Sequence, residues 1–251
     1  MSCYYRLPAA LIAATIASLQ PEFAVAQLSA QQVEEIDTNE CNPSEAIDFN
    51  EAIRLNPNDA EAYNGRGISR YDQGDLEGAI ADYNEAIGLD PNYAKAYGNR
   101  GYFRSQQGDI QGAIADFNEL IRLYPNDAKA YYYRGNVRSQ QGDIEGALAD
   151  YNEAIRLEPN YAEPYSNRGV VRYDQGDKQG ALADYNEAIR LDPNHANAYY
   201  NRALVRKEQR DIQGAINDLQ KASELYQQQG NTDSYRDAQN AIRELQKELE
   251  V

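Results

Sequence analysis

Five prolines, Pro57, Pro91, Pro125, Pro159 and Pro193, stand 34 residues apart. A period of that length, held four times running, means a chain assembled from copies of one supersecondary unit. Each copy opens at Ala62-Tyr63, Ala96-Tyr97, Ala130-Tyr131, Pro164-Tyr165 or Ala198-Tyr199, and breaks at Gly74-Asp75, Gly108-Asp109, Gly142-Asp143, Gly176-Asp177 or Arg210-Asp211. A glycine after a helix can take the left-handed conformation that stops it, and the aspartate that follows can accept from the orphan N–H groups of a second helix. The unit is therefore helix, tight turn, helix.

In the second helix of the first full unit Ala79, Ile80, Tyr83, Ala86, Ile87 and Leu89 recur at helical spacing and give one apolar face. Gly67, Ala79 and Ala86 are small, so the paired axes can approach while Tyr63 and Tyr83 fill the space around them. Pro91 ends the unit, and Asn92 is expected to cap the helix after it. A lone pair of helices cannot bury both its faces, so stability comes from stacking. Full units are expected at 60–93, 94–127, 128–161, 162–195 and 196–229, with a partial unit at 44–59. After the array Tyr235, Ala238, Ile242, Leu245 and Leu249 form an amphipathic stripe, which predicts a capping helix over 230–251.

The first 26 residues read differently. One basic residue, Arg6, precedes an apolar run from Leu7 to Leu19, and Ala24-Val25-Ala26 is a small-residue cleavage pattern. That is the layout of a secretory signal peptide, and the run is shorter than the roughly 17 to 25 residues a membrane span needs. An uncleaved tether is the alternative. Residues 27–43 carry no clear pattern and are expected to be poorly structured. Cleavage would leave Cys41 without Cys3, either idle or able to join two chains. A net charge of −16 disfavours nucleic acid, whose binding rests on Lys and Arg neutralising phosphates.

Ala-Tyr, Arg-Gly and Gly-Asp, followed by Ala-Ile-Ala-Asp-Tyr-Asn-Glu-Ala-Ile and Pro-Asn at a 34-residue repeat, closely resemble the tetratricopeptide repeat (TPR) family over residues 45–229. The wording from Gly108 to Asn118 looks most like exported TPR proteins of cyanobacteria. The resemblance implies an all-α fold, a right-handed α-α superhelical solenoid of about five TPR units, whose first helices line a concave groove that holds partner segments.

One departure from the family is systematic. Arg66 and Arg70, Arg100 and Arg104, Arg134 and Arg138, Arg168 and Arg172, and Arg202 and Arg206 stand one turn apart on the first helices, and Asp82, Asp116, Asp150, Asp184 and Asp218 repeat on the second. Either the guanidiniums are bound by these acids along the seam, or they form a cationic stripe for acidic or phosphorylated partners. The structural reading is preferred, because an unpaired charge near a seam is costly and a repeating acid is at hand.

Mapped onto this chain, the family's groove positions are Lys95, Asn99, Tyr102, Lys129, Tyr132, Tyr133, Asn136, Asn167, Val170, Asn197, Tyr200, Asn201 and Leu204. Tyrosine supplies contact area with few rotors, and amides pair with extended backbone, so the set suits peptide recognition. Tyr102 and Tyr133 can equally bridge units as core. Substitutions at Tyr132, Asn136 and Asn167 are expected to release a partner without unfolding the array. A subset of the family clamps the C-terminal carboxylate of heat-shock chaperones; Asn99 and Lys129 match it, but Tyr133, Asn64 and Ile68 do not, which argues against a chaperone-tail receptor.

Catalysis has little to work with. His195 is the one histidine, so no familiar zinc set or Ser-His-Asp arrangement arises, and no Gly-rich phosphate cradle occurs. Neither a metal nor a cofactor is expected. The sequence points to a non-enzymatic scaffold or adaptor for proteins or peptide segments, exported to a periplasm or thylakoid lumen, or secreted, and acting in assembly or export. A structural homo-oligomer built by repeat stacking is the alternative.

Overall fold

The structure, a computed structural model, describes residues 48–249. The expected leader at 1–26, the segment 27–43, both cysteines and the start of the partial unit lie outside the described residues. Within these the protein is all-helical, with twelve helices and no strand. They are α1 (Phe49–Leu55), α2 (Ala60–Asp72), α3 (Leu76–Leu89), α4 (Ala94–Gln106), α5 (Ile110–Leu123), α6 (Ala128–Gln141), α7 (Ile144–Leu157), α8 (Ala162–Asp174), α9 (Lys178–Leu191), α10 (Ala196–Glu208), α11 (Ile212–Gln228) and α12 (Thr232–Leu249). The chain divides into two units whose boundary falls inside α4, between Arg100 and Gly101. In the first, α2 packs on both α1 and α3; in the second, each helix from α5 to α12 packs on the next, and α8 also touches α6 and α10.

Short turns define the hairpins. The Oδ1 atoms of Asp75, Asp109, Asp143 and Asp211 accept from the backbone N–H of Gly78, Gly112, Gly146 and Gly214 at 3.0 Å, and Asp177 accepts from Gly180 at 2.9 Å. Each bond satisfies a donor that the helix start leaves open. Between hairpins, Asp59, Asp127 and His195 cap α2, α6 and α10, whereas Tyr161 precedes α8 without a side-chain cap bond. Asn92 is not the cap expected from the sequence. It sits inside the turn, two residues ahead of α4, and donates its N–H to Asp90 Oδ1 at 2.9 Å.

Inside a hairpin the closest approach is glycine against an aromatic ring. A Cβ added at Gly135 would stand 2.8 Å from the Tyr151 ring, at Gly169 2.7 Å from Tyr185, and at Gly67 2.6 Å from Tyr83. Leu219 takes the ring's place in the α10–α11 hairpin, and there Ala203 takes the glycine's; both are buried in one cluster. The pair is thus matched in volume within each hairpin, as dense packing requires. On α12, Ala238, Ile242 and Leu245 are buried against the end of the array and Tyr235 packs partly against it. Leu249, expected on the same seam, is 56% exposed, so the apolar contact ends at Leu245.

Gly135→Ala should lower stability by about 1–3 kcal/mol through overpacking, read as a shift in the urea midpoint. Adding Tyr151→Leu, which reproduces the Ala203 and Leu219 pairing, should recover part of that loss. A double variant no more stable than the single one would show that the two positions are not coupled.

Candidate functional site

The arginine ladder is held internally. In the second unit Arg134 donates from Nε and Nη2 to Asp150 Oδ2 and Oδ1 at 2.9 and 2.6 Å, Arg138 Nη1 donates to Asp150 Oδ2 at 2.9 Å, and Arg134 Nη1 reaches Asn118 Oδ1 on the preceding hairpin at 2.7 Å. Arg168 and Arg172 bind Asp184 in the same way, with Asn152 as the third partner, and Arg202 and Arg206 bind Asp218, with Asn186. Arg104 donates to Asp116 at 2.8 Å. In the first unit Arg66 and Arg70 share Asp82, Arg66 also reaches Asn50, and Arg100 reaches Asn84 at 2.6 Å.

A forked guanidinium on a carboxylate is among the stronger protein hydrogen-bond geometries. Each aspartate is buried, while the arginine stems lie over the seam with their heads partly in solvent. The upper arginine of every pair also faces the tyrosine that opens its helix, at 5.3 to 5.6 Å from the ring centroid. The charges that could have formed a cationic stripe are therefore engaged in closing the hairpins.

With the ladder engaged, the first-helix face is left to tyrosine and amide groups. On the second unit Tyr102, Tyr132 and Tyr133 join Phe117 and Tyr161 in a run of ring contacts. Tyr102 meets Tyr133 edge-on at 5.9 Å, Phe117 stacks on Tyr133 at 6.0 Å, and Tyr132 touches both Tyr133 and Tyr161 at 5.2 Å. Asn136 Oδ1 accepts from Tyr151 Oη and from Asn167 Nδ2, each at 2.8 Å, and Asn167 Nδ2 also approaches Tyr132 Oη at 3.3 Å. Burial pushes the Tyr132, Tyr151 and Tyr161 phenols above their ordinary range, so they remain protonated and able to donate. Asn136 Nδ2 is buried without a partner among the described residues.

The sequence-predicted residues separate by burial. Tyr132 and Asn136 are buried and form the floor of this face; Tyr102, Lys129, Tyr133, Asn167, Asn197, Tyr200, Asn201 and Leu204 are partly exposed along it. Val170 packs toward Tyr185 and Val205. Further along, Tyr226 Oη donates to Asn197 Oδ1 at 2.7 Å, and its ring lies edge-on to Tyr200. In the first unit Lys95 is exposed, and Asn99 Nδ2 donates to Asn64 Oδ1 at 2.9 Å. Phe117, Tyr161 and Tyr226 were missed by sequence reasoning. Tyr161 is the one with a sequence cue, since it occupies a turn position that Asp59 and Asp127 fill elsewhere.

His195 caps α10, its Nδ1 accepting from Ala198 N at 3.3 Å, and its Nε2 has no partner among the described residues. Among the described residues no group of three or more His, Cys, Asp and Glu is placed to hold a metal ion, and no helix is long and apolar enough to cross a membrane.

These features define a helical-hairpin repeat protein with an amide- and tyrosine-lined face. A TPR repeat family model matches residues 67–108, 104–142, 135–176 and 171–210, and a tetratricopeptide repeat model matches 196–234. The chain belongs to the tetratricopeptide repeat family. No curated protein matches it. Among solved structures it is similar to MamA, with a TM-score of 0.58 and 25% identity over 66% of this chain and 96% of that one. It is also similar to YrrB, a TPR protein with an unusual peptide-binding site, with a TM-score of 0.58 and 25% identity over 78% of this chain and 100% of that one. Yeast Tom70 shares the fold alone, with a TM-score of 0.64 and 20% identity over 79% of this chain and 43% of that one.

Two measurements test the site's energetics. Asp150→Ala strands two guanidiniums at the seam and should cost about 3 kcal/mol, and Arg134→Ala should lower the melting temperature as well. An unchanged melting temperature in Arg134→Ala, with weaker partner binding, would return the ladder to a binding role. For His195, burial pushes the imidazole pKa below its ordinary value, against a smaller opposing pull from Asp192. The unfolded chain then takes up the proton first, so the stability of the neutral cap is complete above about pH 6.5 and is lost as pH falls toward the folded pKa. Melting temperatures from about pH 7.5 down to about pH 5.5 should fall more steeply than in His195→Asp, the residue that Asp59 and Asp127 supply at this position; parallel curves would remove the histidine as the cause.

Proposed function

We propose that the protein is a non-enzymatic scaffold that binds segments of partner proteins on the first-helix face of its repeats. The observation that carries this reading is the continuous run of tyrosine and asparagine from Tyr102 through Asn167 on a face whose arginines are already committed. Rings offer apolar area to side chains, and the partly exposed amides can pair with peptide backbone. The peptide-binding description of YrrB supports the same use of the fold. The leader-like composition of residues 1–26 supports a place outside the cytoplasm, in a periplasm or thylakoid lumen, and with it a role in assembly or export.

Tyr132 and Asn136 are buried and bonded within the protein, so substituting them would disturb folding together with any binding; the partly exposed Lys129 and Asn201 are the sounder test positions. Peptide display against the purified chain should converge on a motif. Its affinity should fall about tenfold in the Lys129→Ala, Asn201→Ala double variant, as expected when a few anchor contacts dominate, while the helical circular dichroism signal at the assay temperature stays that of the parent. A selection that converges on nothing, or a motif indifferent to both substitutions, would remove this reading.

A further inference from the structure

Three departures from the repeat meet in one place. The position after the turn aspartate is Leu76, Ile110, Ile144 and Ile212 in four units but Lys178 in unit 162–195; in unit 196–229 the turn glycine of the other units is Arg210, and the position held by Tyr71, Ser105, Ser139 and Tyr173 is Lys207. Each change adds a positive charge to a chain of net charge −16. All three line a single open cavity of about 620 Å³ in the second unit, together with Tyr173, Leu204, Glu208 and Glu248.

Arg210 keeps the left-handed backbone of the glycines it replaces. Its φ is 65°, beside 80°, 78°, 82° and 83° at Gly74, Gly108, Gly142 and Gly176, and it is the one non-glycine residue at positive φ among those described. Glycine adopts that conformation without steric cost and arginine does not, so the turn carries strain that a glycine would relieve. Lys178 Nζ is held by Glu208 Oε2 at 2.6 Å, and Glu208 Oε1 also accepts from Tyr173 Oη at 2.5 Å. The side chains of Lys207 and Arg210 have neither a hydrogen bond nor an ion pair among the described residues. The cavity thus offers two cations uncommitted among the described residues beside the Tyr173 ring and the Leu204 side chain; of its two acids Glu208 is already bound by Lys178, and with Glu248 counted the lining still carries three cations against two carboxylates.

We propose that this cavity binds a carboxylate-bearing, acidic peptide segment, with Lys207 and Arg210 as the anion-pairing groups and Tyr173 and Leu204 as the apolar wall. The choice of a peptide rests on the scaffold reading above; the choice of an anion rests on the cavity alone. An acidic segment approaching a protein of net charge −16 meets repulsion on average, so a local cluster of cations makes the site selective as well as attractive.

Fluorescence anisotropy with a labelled oligoglutamate peptide and its oligoglutamine counterpart tests it. Saturable binding is expected for oligoglutamate only, about tenfold weaker in the Lys207→Gln, Arg210→Gly double variant and unchanged in Lys221→Gln, which removes one positive charge elsewhere. Arg210→Gly alone should melt higher than the parent while binding oligoglutamate more weakly, a combination that lost folding cannot produce. Absence of saturable binding, an equal loss in Lys221→Gln, or retention of anionic phospholipid vesicles in place of the peptide would overturn the proposal. A display-selected peptide measured on the same variants separates the two sites: loss of oligoglutamate binding with that peptide's affinity intact upholds the cavity on its own terms.

Discussion

In four of the hairpins one buried carboxylate shared by two guanidiniums holds the helices in register. Asp150 illustrates the arrangement: two arginines one turn apart on α6 converge on it from the facing helix, and the upper one continues to Asn118 on the hairpin before. Removing a charge of this kind from water costs several kcal/mol, so an aspartate is tolerated there only because both its oxygens are occupied. Its geometry admits one sliding position of α6 against α7, which an apolar seam of alanines would not enforce. The Asn contact extends the constraint from within a hairpin to between hairpins.

That commitment of charge shapes what remains for recognition. A chain with ten arginines on its first helices could be read as cationic along the groove, yet the fork bonds draw the guanidiniums back to the second helices. Tyrosine and asparagine are left facing outward on α6, α8 and α10, of which α8 touches both the others in the second unit. Some of those tyrosines serve the interior too. Tyr132 lies under the face, in contact with Tyr133, Tyr151 and Tyr161, and its hydroxyl meets the Asn167 amide. The same side chains therefore support the stack and set the chemistry of its open side.

Most of the fold was legible in the sequence because its determinants are local and repeated. The proline period, the Gly-Asp breaks and the Arg and Asp ladder each state a helix boundary or a pairing at fixed spacing. What escaped depends on neighbours distant in the chain. Nothing in the sequence separates Tyr132, buried, from Tyr133, partly exposed, since burial is decided by the turn residue Tyr161 and the α7 residue Tyr151 that close over it. Asn92 has the composition of a cap but stands two residues ahead of α4, within the turn, where its N–H is bound by Asp90 Oδ1. The groove positions were read from family likeness, and the structure divides them into floor and wall only through such long-range packing.

The matched interior pairs also bear on how a chain like this can change by duplication and exchange. Glycine with a ring, or Ala203 with Leu219, is a lock whose halves lie on the two helices of one hairpin. Genetic breakpoints at the proline turns carry both halves together and leave every matched pair intact. A breakpoint inside a hairpin that joined α10 to α3, α7 or α9 would bring Ala203 against a tyrosine, so for that repeat the heritable module is the whole hairpin, and its natural seams are the proline turns.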